Sequence, residues 1–331
     1  MKASIIIPAY NAERTIANTL RACLDQDFPA DEYEIIVVDD GSKDDTAEQV
    51  RRFPVRLLSQ ENAGAAAARN RGAGVARGDV LLFVDADCIN PPDAVRRLVG
   101  SVRCNGGPQI VSAIYAATPD LPLVTSCLNE EIRFRHLHLS DSPGHVGSYC
   151  MAMPRRVFED LGGFDERFKR SEDNEFCTEA VERGYELHVL QDVALAHHHV
   201  RTMRAWLRDQ YTSAYWKLQS LRTHSKTRVS DGYFGLRDWM APALAALMLG
   251  LLPFVWLWPV HWIGLGLLVA AISLHLPATL FAVRDTGDWR HMVLVPMQVA
   301  RSFAWVFGAV AGLLRPPALD VRPTGHVAGE R

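Results

Sequence analysis

The sequence predicts an α/β domain, built on a mostly parallel sheet with helices on both faces and followed by C-terminal transmembrane helices. Two observations predict this. From Met1 to about Gly235, short apolar runs of strand length alternate with segments of helical period, as expected of parallel strands joined by crossover helices. From about Trp239 to Leu314 the chain is dominated by Leu, Ala, Val, Trp and Phe. A third observation locates a site. Ligands of open parallel sheets bind outside the carboxyl ends of the strands, and three such ends carry polar groups here: Pro8 to Asn11, Asp39-Asp40, and Asp85-Ala86-Asp87.

Length and composition narrow the function classes. At 331 residues the chain can hold more than one domain, and a net charge of -3 gives none of the basic surface a nucleic-acid binder needs. Six cysteines (Cys23, Cys88, Cys104, Cys127, Cys150, Cys177) have no C-x-x-C and no regular spacing, so they read as reduced residues of a cytosolic domain. The apolar run Ile5-Ile6-Ile7 ends at Pro8, too short for a secretory signal.

Ala3 to Ile7 reads as the first strand, with Asn11 as the expected cap of a helix whose apolar face is Ile16, Leu20, Cys23 and Leu24. Tyr33 to Val38 is the second strand. It is followed by acids and a helix from Thr46 to Phe53, and Val55 to Leu58 is the third strand. The Ala- and Arg-rich run from Asn62 is a good helix former that stops at Gly72. Leu81 to Val84 is a buried strand that ends in Asp85 and Asp87, whose i, i+2 spacing on an extended chain aims both side chains the same way. Such a pair repels itself unless a cation sits between, which makes it a seat for a hard divalent ion. Taken alone it is more simply a solvated strand end. The two neighbouring polar strand ends turn it into a convergent site.

Pro91 to Val102 reads as a helix and Ile110 to Ala116 as a strand. Leu121 to Gly147 has no clear period. Gly147 to Met153 and Glu186 to Leu190 are strands. Ser171 is placed to cap a helix that carries Glu172 and Asp173 in its first turn, where the helix dipole favours acids for purely structural reasons. Thr202 to Leu218 mixes Trp and Tyr with basic residues, as an amphipathic helix in the membrane interface would. Trp239 to Pro259 and Val260 to Val283 are each long enough to span a bilayer. Met292 to Leu314 makes a third span if Arg301 faces a bundle, and the sequence leans that way. From Pro316 the chain reads as a disordered tail. The expected division is therefore residues 1–200, 201–235, 236–315 and 316–331.

In that order and spacing, SIIIPAYNAERTI, EIIVVDDGSKDDT, NAGAAAARNRG, LLFVDADC and GGFDERFKRSEDNEFCTEAVERGYEL resemble the family 2 glycosyltransferases of the GT-A fold, over roughly the first two hundred residues. The resemblance implies that Pro8, Tyr10 and Glu13 line a nucleoside pocket, and that Asp39 accepts from the base edge. Arg69 would face the diphosphate or fix the acidic pair. Asp85 would meet ribose or metal, and Asp87 the metal, either Mg2+ or Mn2+. It also implies Asp173 as general base, with Glu172 and Glu175 as substitutes, and an acceptor-facing mobile loop or short helices from Leu121 to Gly147. His197, with His199 next, would complete the metal shell, and Arg201 and Arg204 would lie near the departing diphosphate. The expected function is inverting, metal-dependent transfer of a single sugar from a nucleotide-sugar donor to a lipid-linked or glycolipid acceptor. The expected setting is the cytoplasmic membrane, crossed several times, with the catalytic domain facing the cytoplasm. Lack of the Q-x-x-R-W motif of processive members, of which only Arg204-Ala205-Trp206 stands here, favours single addition. The competing expectations are a synthase that loads polyprenyl phosphate itself and a non-catalytic nucleotide-sugar-binding scaffold.

Overall fold

A computed structural model describes residues 2–103, 109–118, 121–139, 143–197, 202–223 and 235–317. The expected site residues His199 and Arg201 lie outside these residues, as do Cys104 and the tail beyond residue 317. The first half alternates as its pattern demands: β1 (Ala3–Ala9), α1 (Ile16–Leu24), β2 (Tyr33–Asp39), α2 (Thr46–Val50), β3 (Arg56–Ser59), α3 (Ala65–Val75) and β4 (Val80–Val84). These four strands are parallel, in the order β3-β2-β1-β4. Then come β5 (Cys88–Ile89), α4 (Ala94–Arg103), β6 (Ile110–Tyr115), α5 (Leu123–Leu137), β7 (Cys150–Pro154), α6 (Arg155–Leu161), α7 (Glu172–Glu182) and β8 (Leu187–His197). The sheet continues β4-β7-β6-β8-β5 and is mixed beyond β4, because β7 runs antiparallel to both its neighbours while β6 and β8 are parallel.

The strands are almost continuously apolar because both sheet faces are covered. Ile5, Ile7, Val37, Leu82 and Val84 pack on one face with Ile16 and Leu20 of α1 and Leu98 of α4. Ile6, Ile36, Val38, Leu81 and Phe83 pack on the other with the alanines of α3 and with Phe158, Phe164 and Phe176. Helix α3 lies unusually close to the sheet: a Cβ at Gly72 would run into the side chain of Ile6. That proximity carries Arg69, one turn earlier, to the strand ends.

Three expectations change. Asn11 caps no helix, since α1 begins only at Ile16. Instead it adopts a left-handed conformation (φ 51°), donates its N–H to Ser42 Oγ (2.9 Å) and accepts from Lys43 N–H (2.8 Å), tying the β1 and β2 ends together. Residues 123–137 form one 15-residue helix, α5, not a loop. Its period was hidden because polar residues, Asn129, Glu130, Glu131, Arg135 and His136, are buried along with the apolar ones. Finally, the span expected from Trp239 to Pro259 is interrupted. The C-terminal helices are α8 (Met203–Thr223), α9 (Leu236–Leu251), α10 (Trp258–Thr286) and α11 (Leu294–Leu314), with a 3-10 turn at Leu252–Phe254. By length and composition, two stretches could cross a membrane: Trp258–Thr286 and Trp289–Leu314. Helix α8, the amphipathic helix of the sequence reading, has α11 along one side: a Cβ at Gly308 would collide with the carbonyl oxygen of Tyr211.

Candidate active site

All the polar strand ends face one cavity of about 1100 Å³. Pro8 stands near the end of β1, Tyr10 and Glu13 follow it, Asp40 and Asp44 follow β2, Asp85 and Asp87 follow β4, and Tyr115 and His197 close β6 and β8. Antiparallel β7 contributes its opposite end, through Ser148 and Tyr149. The mixed sheet therefore still presents one functional edge.

Asp85 and Asp87 reach the cavity by a turn, not by the alternation of an extended strand. The Cys88 N–H donates to Asp85 O (3.1 Å), and the Asp85 N–H to Tyr149 O (3.0 Å). The chain then pairs as β5 with β8, Cys88 opposite His197. This pairing sets Asp87 Oδ1 3.3 Å from His197 Nε2. Ligand atoms of Asp87, Cys88 and His197 lie within 4.8 Å of one another. Burial, and then the charges of Asp87 and Asp85, push the Cys88 thiol well up, so it stays protonated and is a poor donor to a hard cation. What remains, carboxylate oxygens with one imidazole, suits Mg2+ or Mn2+. The His197 ring is held by stacking on Tyr115, with centroids 4.8 Å apart and planes at 24°. Tyr115 in turn packs on Tyr149, whose hydroxyl donates to Ala113 O (2.6 Å).

Arg69 is buried between two acids from distant parts of the chain. One terminal nitrogen donates to Asp85 Oδ1 (2.7 Å) and the other to Glu172 Oε1 (2.6 Å). Burial works against its charge, but Asp85 and Glu172 more than offset this, so its pKa is raised. Arg69 thus holds one member of the expected acidic pair, Asp85, and joins it to Glu172 while still lining the cavity. Burial and the neighbouring Asp173 push the Glu172 carboxyl up against the pull of Arg69.

Ser171 does precede α7 as expected, though in a left-handed conformation and without a side-chain cap. Glu172 and Asp173 both line the cavity, and Asp173 Oδ1 accepts from the Asn174 N–H (2.8 Å). Glu175 is buried and stands outside the cavity lining. Arg204 is exposed on α8 and does not line the cavity. Asp39, buried at the end of β2, accepts from the Ser42 N–H (3.2 Å) and stands behind the lining.

Sequence reasoning missed several residues. Asp40 lines the cavity and holds the start of α3, accepting from the N–H groups of Ala63 and Gly64 (both 2.8 Å) and from Gln60 Nε2 (2.7 Å). The glycine that follows it was the available signal. The far wall of the cavity comes from Leu128, Glu131 and Arg135 of α5, Trp206 and Lys217 of α8, and Gln298, Arg301 and Trp305 of α11. No sequence motif announced that wall, because it is assembled from three helices.

Residues 4–162 match the family model described as glycosyl transferase family 2. Among curated relatives, glycosyltransferase AglE of Haloferax volcanii is 29% identical over 203 residues, 59% of this chain and 66% of its own length. A probable glycosyltransferase of Bacillus subtilis, YdaM, is 28% identical over 229 residues, 63% of this chain and 53% of its own length. The chain thus spans between about half and two thirds of these relatives. Among solved structures, mannosyltransferase PcManGT of Pyrobaculum calidifontis, in complex with GDP-Man and Mn2+, superposes with a TM-score of 0.62. It is 20% identical, and the match covers 94% of this chain and 87% of that one, a likeness of fold.

Proposed function

We propose that the chain, whose residues 4–162 match a glycosyl transferase family 2 model, is a glycosyltransferase that transfers a single sugar from a nucleoside diphosphate to a membrane-associated acceptor with inversion. The observation that carries this reading is the meeting, on one cavity, of the Asp87–His197 pair with Asp85 beside it and a second acidic pair (Glu172, Asp173), Arg69 bridging Asp85 and Glu172.

Each group has a task in that reaction. Pro8, Tyr10 and Glu13 border the nucleoside end, with Asp39 behind them to fix the β2 turn. Asp85, Asp87 and His197 would hold Mg2+ or Mn2+. A divalent ion bound there supplies Lewis-acid neutralisation of the diphosphate. Arg69 aims the Asp85 carboxylate, and Tyr115 fixes the His197 ring. Asp173 takes the proton of the acceptor hydroxyl while that oxygen bonds to the anomeric carbon and the bond from that carbon to the diphosphate breaks. Glu172 is engaged by the Arg69 guanidinium, so it positions while Asp173 acts as base. With no second carboxylate acting as nucleophile, one displacement inverts the anomeric centre. The apolar C-terminal helices beside the cavity motivate a lipid-borne acceptor.

The test is turnover by the full chain in nanodiscs with GDP- and UDP-sugars and Mn2+. Acceptors would be polyprenyl-diphosphate-linked sugar, polyprenyl phosphate and a water-soluble sugar. Product with inverted configuration on the lipid-linked sugar supports the reading. Transfer to polyprenyl phosphate alone indicates the synthase instead. Equal transfer to the soluble sugar overturns the membrane acceptor.

A further inference from the structure

The C-terminal helices divide sharply by what surrounds them. We propose that only the hairpin of α9 and α10 crosses a lipid bilayer. Helix α11 then lies with α8 against the membrane face of the catalytic domain, so that Arg315 returns to the side of the active site.

The middle of α11 is fastened to polar groups of the catalytic body. Arg301 donates to Gln210 Oε1 (2.8 Å) on α8 and to Asp238 Oδ1 (3.2 Å) in the first turn of α9. Asp238 also takes both terminal nitrogens of Arg135 on α5 (2.9 and 2.7 Å), and Arg135 Nε meets Glu131 (2.6 Å). The centre of α11 is therefore level with α5 and with the root of α9. A crossing α11 would carry that centre, and these charges, into hydrocarbon, where each charged residue costs about 2.5 to 3.5 kcal/mol on insertion scales.

The rest of α11 makes the same point. Gly308 and Gly312 let α8 approach closely along its length. Gln219 Nε2 and Arg222 donate to Gly312 O (3.1 and 3.0 Å), and the Tyr215 hydroxyl donates to Arg315 O (2.8 Å). Lys217, Gln219 and Ser220 of α8 are buried in this region. The apolar residues α11 leaves exposed, Phe307, Val310, Leu313 and Leu314, suit a helix lying in an interface.

The hairpin is the opposite case. No Asp, Glu, Lys or Arg occurs between Asp238 and Arg284. The bend exposes Trp256, Trp258 and Trp262 by 75, 70 and 60%. From Ala241 to the bend and from the bend to His275, each limb extends roughly 25 Å at 1.5 Å per residue, near the ~30 Å hydrocarbon thickness. That places the three tryptophans at the far interface, where such rings concentrate. Asp285 sits at the near foot, paired with Arg133 of α5 (2.7 Å).

The proposal is independent of the sugar transferred. Its test is single-cysteine labelling of the full chain in right-side-out and inverted vesicles with a membrane-impermeant maleimide. The background is Cys104→Ser, since the other five cysteines are buried. Glu61→Cys marks the catalytic side. Trp289→Cys and Arg315→Cys are expected to label from that same face, and Trp256→Cys, or Phe254→Cys if the first fails to insert, from the opposite face. Labelling of Arg315→Cys from the face that labels the bend means three crossings and overturns the proposal. So does labelling of the bend from the catalytic face, the outcome if a second copy rather than lipid covers the hairpin.

Discussion

Replacing Arg69 by Met keeps the bulk of the side chain but removes the cation that Asp85 and Glu172 share. Breaking a buried pair from one side leaves uncompensated charge and costs about 3 to 5 kcal/mol. The expected outcome is a lowered melting temperature together with weaker Mn2+ binding by electron paramagnetic resonance. Unchanged Mn2+ affinity would mean Arg69 serves only the α7 side. A second residue makes a pH prediction. Burial, helped by Arg135 and His145, brings His136 down to about 3, so it is neutral when folded. Its folded value lies below the unfolded one near 6.5, so its contribution to stability is complete above 6.5 and is lost as pH falls from there towards 3. At pH 5 the loss is about 2 kcal/mol. Thermal melts at pH 7 and pH 5 should show a drop that shrinks in His136→Asn; an equal drop in both proteins would rule His136 out as the cause.

At the scale of elements, every strand except the two-residue β5 was legible, because a strand covered on both faces writes itself as Ile5-Ile6-Ile7 or Leu81-Leu82-Phe83-Val84. Helix α5 was not, because its buried face carries Glu131 and Arg135, whose partners come from α9 a hundred residues away. The acids at Asp85 and Asp87 were legible as a pair, but their approach to His197 depends on the β5–β8 pairing, a non-local contact. Asp40 was passed over for Asp39, though its carboxylate anchors the N-terminus of α3 and so positions Arg69. Asp40→Ala would leave the Ala63 and Gly64 N–H groups without their acceptor, at about 1 to 3 kcal/mol. Because α3 also carries Arg69, the same variant should lose activity in parallel with Arg69→Met. Full activity with lowered stability would separate the two roles.

For the molecule as a whole, the cavity joins two kinds of wall: strand ends with acids on one side, and α5, α8 and α11 on the other. If the first receives the nucleotide sugar and the second the acceptor, damage to each should be read in a different constant. Asp87→Ala removes a metal-type donor and should reduce turnover by roughly two to three orders of magnitude, with Mn2+ binding lost. Trp305 offers its ring to Arg301 (5.4 Å) and its N–H to Gln210 Oε1 (3.0 Å), forming part of the helical wall far along the chain from any strand end. Trp305→Ala removes that surface without touching Asp85, Asp87 or His197. It should raise KM for the lipid acceptor about tenfold, the effect of losing about 1.4 kcal/mol of binding, while leaving nucleotide affinity by calorimetry unchanged. An equal loss of nucleotide affinity would mean that the cavity acts as one compartment, and that α11 shapes the donor end as well.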